Sequence, residues 1–134
     1  MTVFDNYQDT MFVVLCMAVM MLAQLLVADF AGIKAGHRAG YPITADAKNF
    51  LFRAARAHAN SNESIAIFLM LVVCAAGFGA SPTWTATASW IYLAGRIMHM
   101  IFYYANMKTP RSVAFAVSIF GLLGLVTAIA MAKA

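Results

Sequence analysis

An all-α integral membrane fold, a bundle of four transmembrane helices, is predicted for this chain by three observations. Of its 134 residues, 63% are hydrophobic and 10% are charged, against roughly a quarter charged in soluble domains. The apolar residues gather into four stretches, each near the ~20 residues that cross a bilayer as a helix. The connections between them carry positive charge unevenly, as a multi-pass topology requires. A soluble core of this size could not hide so much apolar surface, and lipid can. Spans of this length argue for helices rather than a barrel, since both satisfy the backbone but strands need only half as many residues. One domain, residues 1–134, is expected.

The first stretch covers residues 10–33 and is broken only by Gln24 and Asp29. Residues 49–78 form the second, polar in its first half and apolar in its second. Residues 84–107 form the third, and the fourth, residues 112–132, has no charge at all. Loop one, residues 34–48, carries Lys34, Arg38 and Lys48 against Asp46, and its Gly36, Gly40 and Pro42 mark non-helical chain. Loop two, residues 79–83, reads Gly-Ala-Ser-Pro-Thr and is an uncharged tight turn. Loop three, residues 108–111, places Lys108 and Arg111 around Pro110. The positive-inside rule then puts loops one and three in the cytoplasm, and loop two and both termini outside. Trp84, Trp90 and Tyr92 near one end of the third span fit an interfacial aromatic belt, and Tyr104 fits the belt at its other end.

Composition also excludes. Net charge is +4, but the basic residues are scattered over loops and helix ends, with no stripe for nucleic acid. Cys16 and Cys74 lie in apolar stretches and read as buried small hydrophobes, with no disulfide framework or metal motif. His37 stands in a loop without a partner motif, so no metal is expected. Asp5 and Asp9 precede the first apolar run, the wrong charge for a signal peptide.

Function is carried by the polar residues inside the spans. Arg56, Asn60 and Glu63 share one helical face, because spacings of four and seven keep them within an arc of about 60° at ~100° per residue. Arg96, His99 and Tyr103 repeat the pattern on the third helix. Ionisable groups at membrane depth are costly and face a protein interior or a wet cavity. Guanidinium groups hold carboxylates through forked hydrogen bonds, Glu63 can receive an ammonium group, and Asn60 both donates and accepts. Such a set suits a small zwitterion with several carboxylates. A purely structural role is the alternative. Arg56 or Arg53 would pair with Glu63 as buried helix glue, Arg96 would snorkel or pair helices, and His99 would be an interior histidine. The protein would then be a non-enzymatic membrane scaffold or a transporter-like module. A haem site using His58 and His99 is disfavoured, because His58 is rotated about 200° from Arg56 and from Asn60.

The run Arg-Ala-His-Ala-Asn-Ser-Asn-Glu at 56–63 resembles the second-helix signature of the membrane-associated proteins in eicosanoid and glutathione metabolism, the MAPEG family. Gly-Arg-Ile-Met-His-Met-Ile-Phe-Tyr at 95–103 resembles the third helix of the family's prostaglandin E synthase branch. Lys-Thr-Pro-Arg-Ser at 108–112 is similar to the following turn, one residue shorter. The resemblance covers nearly the whole chain. It implies a homotrimer of four-helix subunits in contact with membrane lipid. Glutathione, a co-substrate, would be bound between neighbouring subunits near the cytoplasmic face. Asn60, Glu63, His99 and Tyr103 match its contacts, Arg56 and Arg96 lie on the same polar faces, and Lys34 is a looser candidate from the end of the first helix. Arg111 and Ser112 match the turn that approaches the thiol, so Arg111, with Ser112 or Tyr103, is the expected catalytic group. Ala59 departs from the synthase branch, which has arginine there, so one carboxylate clamp is missing. The activity implied is that of a membrane glutathione transferase, with or without glutathione peroxidase activity, acting on a lipophilic electrophile or lipid hydroperoxide from the bilayer.

Overall fold

The computed structural model describes residues 3–134, so the first two positions of the expected single domain lie outside the described residues. The described chain is helical throughout apart from its turns and loop one. A 3-10 turn at Asp5–Tyr7 leads directly into α1 (Gln8–Lys34), followed by α2 (Phe50–Gly77), α3 (Pro82–Tyr104) and α4 (Lys108–Lys133). Three of these, α1 with its leading turn, α2 and α4, are long and apolar enough to cross a membrane. At 23 residues α3 is long enough as well. Its threonines, serine, Arg96 and His99 dilute its hydropathy.

The helix boundaries follow from local chemistry. Asn49 caps α2, accepting from the Leu51 N–H at 2.9 Å. Ser81 caps α3 ahead of Pro82, where proline's missing N–H costs nothing. Gly79 ends the connection after α2 with φ of +67°, a left-handed conformation that a β-carbon would strain. Loop one is irregular as expected, with Gly36 and Gly40 also at positive φ.

One boundary differs from the sequence reading. Helix α4 begins at Lys108 rather than near residue 112, so the third connection shrinks to residues 105–107, with Asn106 at φ of +58°. Pro110 does not prevent this, because the first-turn N–H groups of a helix have no intrahelical acceptor. Arg111 and Ser112 therefore stand in the first turns of a rigid helix, not in a loop.

Packing explains the rest. On α1 the buried residues Val13, Met17, Met20 and Gln24 form one stripe, while Phe12, Leu15, Val19, Leu22, Leu26 and Phe30 are each more than half exposed. That outward apolar face has the character of a lipid-facing surface. The interior centres on Met17, Phe68, Tyr92, Leu93 and Leu125. Tyr92 corrects the belt assignment. It is buried, stacks on Phe68 at 4.5 Å and shares a 2.8 Å hydrogen bond with Ser64. Trp84 and Trp90 remain exposed, as an interface belt requires. Cys74 is also exposed, whereas a buried position was expected.

Helices α3 and α4 make the most extensive contact in the bundle. Gly95 and Gly121 set their distance. A β-carbon at Gly95 would lie 2.5 Å from the Ser118 backbone nitrogen, and one at Gly121 would lie 2.5 Å from that of Tyr92. Such backbone-to-backbone approach is how small residues bind membrane helices, where no hydrophobic force separates lipid from helix partner. At the far end, the buried Tyr7 hydroxyl donates to the carbonyls of Ala75 at 3.2 Å and Ala80 at 2.5 Å, tying the start of the chain to the α2–α3 turn.

Candidate functional site

The polar faces of α2 and α3 meet through one short bond. Arg96 has no exposed surface, and its Nη2 donates to Asn60 Oδ1 at 2.6 Å, while Nη1 reaches Ser118 Oγ at 3.5 Å. Its Nε has no partner among the described residues. Arg96 therefore does not snorkel; it is an interior guanidinium that pairs α3 with α2 and α4. Its place follows from its neighbour, because Gly95 brings Ser118 close enough to be reached.

Asn60 is the hub. It accepts from Arg96 and donates through Nδ2 to Glu63 Oε2 at 3.2 Å. Glu63 in turn lies 3.8 Å from Arg56. The expected pairing of Arg56 with Glu63 exists, but its side chains are 44% and 59% exposed, so it is not the buried glue that a scaffold would need. An exposed pair of this kind contributes roughly 0–1 kcal/mol. Arg53 is spent elsewhere: its Nη1 donates to the carbonyls of Ala47 and Lys48, both at 2.9 Å, and its Nε to that of Tyr104 at 3.3 Å. It clamps loop one to the end of α3.

Below Arg96, five residues named from the sequence converge. Asn60, His99, Tyr103, Arg111 and Ser112, joined by Phe115, line one cavity of about 250 Å³. The Arg111 guanidinium lies 4.3 Å from the centre of the Tyr103 ring, a cation–π arrangement that fixes its direction. His99 is almost fully buried, meets Tyr103 edge-on at 5.2 Å, and leaves Nδ1 without a partner among the described residues. Ser112 donates its hydroxyl to the Lys108 carbonyl at 3.2 Å, so that proton is engaged within α4. The site thus offers two permanent cations, an amide and an imidazole around a void, with one of those cations reaching it through Asn60.

Lys34 does not join this cavity. It lines an apolar groove beside Asp29, Phe30 and Phe50 at the end of α1. His58 points away as its rotation implied. It lies 3.1 Å from Asn62 through Nε2 and faces a different cavity between α1, loop one and α2. Phe115 and Ser118 were missed. Their signal was present, since 111, 115 and 118 are spaced by four and three and share a face once the helix is allowed to begin at Lys108.

In comparison with known proteins, the MAPEG family model matches residues 10–131, nearly the whole chain. No curated protein matches it.

Proposed function

The chain belongs to the MAPEG family, and from that premise we propose that it is a membrane glutathione transferase. The observation that carries this reading is the convergence of Asn60, His99, Tyr103, Arg111 and Ser112 on one cavity backed by buried Arg96. Structural ion pairs do not require a void between them; a bound anion does. In this reading glutathione sets its carboxylates against Arg56 and against Asn60, which Arg96 backs from the interior, and its ammonium group against Glu63. The cavity's 250 Å³ is smaller than the ~300–1,000 Å³ of ordinary ligand pockets, and the Arg56–Glu63 pair is open on its outer side. A neighbouring subunit of a homotrimer would close it, and Lys34 would enter from that neighbour. All four helices would span the bilayer, with loops one and three on the cytoplasmic side where glutathione is supplied.

Chemistry follows from the cation. A thiol is a weak nucleophile, and the thiolate, favoured by a fixed guanidinium nearby, is the reacting species. Arg111 supplies that charge beside Tyr103. The thiolate attacks an electrophilic carbon of a lipophilic compound arriving from the bilayer, the new carbon–sulfur bond forms, and the leaving group departs with the electron pair. Holding both reactants accounts for the rest of the rate enhancement.

The test is calorimetric titration of the detergent-purified protein with glutathione, followed by turnover on a panel of haloaromatic, epoxide and hydroperoxide compounds. Saturable binding with thioether formation is expected. A hydroperoxide-only response would assign peroxidase chemistry instead. An absence of glutathione binding in properly assembled protein would overturn the proposal.

A further inference from the structure

The end of the bundle opposite the Asn60–Arg111 cavity carries a second void. It measures about 340 Å³ and lies between the start of the chain and the start of α3, lined by Asn6, Asp9, Thr10, Thr83, Thr87 and Trp90 among others. We propose that it is a binding site for an organic ammonium group.

Thr10 points to a missing partner. It has no exposed surface, lines the void, and its hydroxyl makes no hydrogen bond among the described residues. Thr85, Thr87 and Thr127 all donate to the carbonyl four residues back, each at 2.9 Å. Thr10, also helical, does not take that escape. A buried hydroxyl without a partner is costly, so an acceptor or donor from outside the chain is called for.

The sign of the ligand follows from the lining. Among the described residues that line it, Asp9 is the one carboxylate and there is no lysine or arginine. A carboxylate only accepts. Thr87 has spent its proton on the Thr83 carbonyl, which leaves its oxygen as an acceptor too. The α3 N-terminus brings roughly half a positive charge, but its Trp84 N–H is already turned to Ser81, and the full charge of Asp9 outweighs the remainder. Tyr7 also lines the void, yet its hydroxyl is committed to the Ala75 and Ala80 carbonyls and serves as wall. Trp90, 6.1 Å from Phe12 and partly exposed, offers a ring face that attracts cations. An ammonium group has three protons to give; Asp9, Thr10 and Thr87 provide three oxygens.

The void sits level with the exposed Trp84 and Trp90, at interface depth. From it the outward apolar stripe of Phe12, Leu15 and Val19 runs down α1. The ammonium group therefore comes either from an aminophospholipid headgroup, its chains lying on that stripe, or from a free amine in solution.

The experiment uses full-length protein carrying Trp84→Phe, so that Trp90 is the sole indole. Ethanolamine is titrated in detergent while Trp90 emission is followed, with uncharged ethylene glycol as control. In nanodiscs, quenching by bromine-labelled phosphatidylethanolamine is compared with quenching by the same chains on phosphatidylcholine. A saturable response to ethanolamine, absent with ethylene glycol and shifted at least tenfold in concentration by Asp9→Asn, is expected, with a smaller shift for Thr10→Val. Stronger quenching by the phosphatidylethanolamine chains, lost in Asp9→Asn, marks the lipid as the source; ethanolamine saturation without that preference marks a soluble amine. The proposal is overturned if neither probe gives a saturable signal, if ethylene glycol acts as ethanolamine does, or if Asp9→Asn responds like the parent. Glutathione affinity, carried by the other end of the bundle, is unaffected in either case.

Discussion

Replacing Asn60 by alanine removes two bonds at once, and their geometry says what each is worth. The 2.6 Å bond from Arg96 is charge-assisted and part-buried, whereas the 3.2 Å bond to Glu63 is exposed. Losing the first costs about 1.5–3 kcal/mol. The loss is toward the upper end, because Arg96 already has an unpartnered Nε and would retain only Ser118 at 3.5 Å. Thermal unfolding in detergent should therefore fall by several degrees. Glutathione affinity should fall on the order of ten- to a hundredfold, at about 1.4 kcal/mol per factor of ten, because Asn60 lines the cavity and aligns both Arg96 and Glu63. Asn60→Asp separates the two effects. Its carboxylate keeps a partner for Arg96 and restores much of the melting temperature, less the lost donor and the repulsion toward Glu63, but it adds negative charge where a carboxylate ligand should sit, so binding stays weak. Differential scanning and isothermal calorimetry on the same preparations read both quantities. The reasoning is refuted if Asn60→Ala loses stability yet binds glutathione normally, or if Asn60→Asp binds as well as the parent.

Two further outcomes test the rest of the site. Arg111→Ala should reduce turnover by more than it reduces glutathione affinity and should abolish the thiolate absorbance of bound glutathione near neutral pH, while Arg111→Lys recovers only part, since an ammonium lacks the planar fork and the stacking on Tyr103; unchanged thiolate signal and turnover in Arg111→Ala would reject the assignment. Gly95→Ala places a β-carbon 2.5 Å from the Ser118 backbone, where neither partner is a flexible side chain, so it should cost roughly 1–3 kcal/mol or more and misalign Arg96, seen as a lower melting temperature together with weaker glutathione binding; normal behaviour in both would show that α3 and α4 are not held at this distance.

Much of the site was legible because helical spacing is a strict rule. Once 49–78 and 84–107 read as helices, Arg56, Asn60 and Glu63 had to share a face, and so did Arg96, His99 and Tyr103. His58 had to point elsewhere, and it does. The fourth helix was less legible, because Pro110 and two charges resemble a loop. Proline is tolerated in a first turn, and nothing in composition distinguishes that case from a break. Reading Arg111 as loop hid Phe115 and Ser118, which share its face.

The sequence by itself determined the helical class, the membrane character and the two polar faces, because each depends on composition and on a period of 3.6 residues within a single segment. Which residues of different segments touch could be decided only by the tertiary structure. The bond from Arg96 to Asn60 spans 36 positions and joins α3 to α2, while Gly95 and Gly121 let α3 and α4 meet backbone to backbone and bring Ser118 to the same guanidinium. The folded arrangement also buried Tyr92 rather than leaving it in the belt, gave Arg53 to loop one rather than to Glu63, and left Arg56 and Glu63 facing outward. Period and polarity place a side chain on a face; the relative rotation and separation of the helices, set by where glycine removes a β-carbon, choose what that face meets.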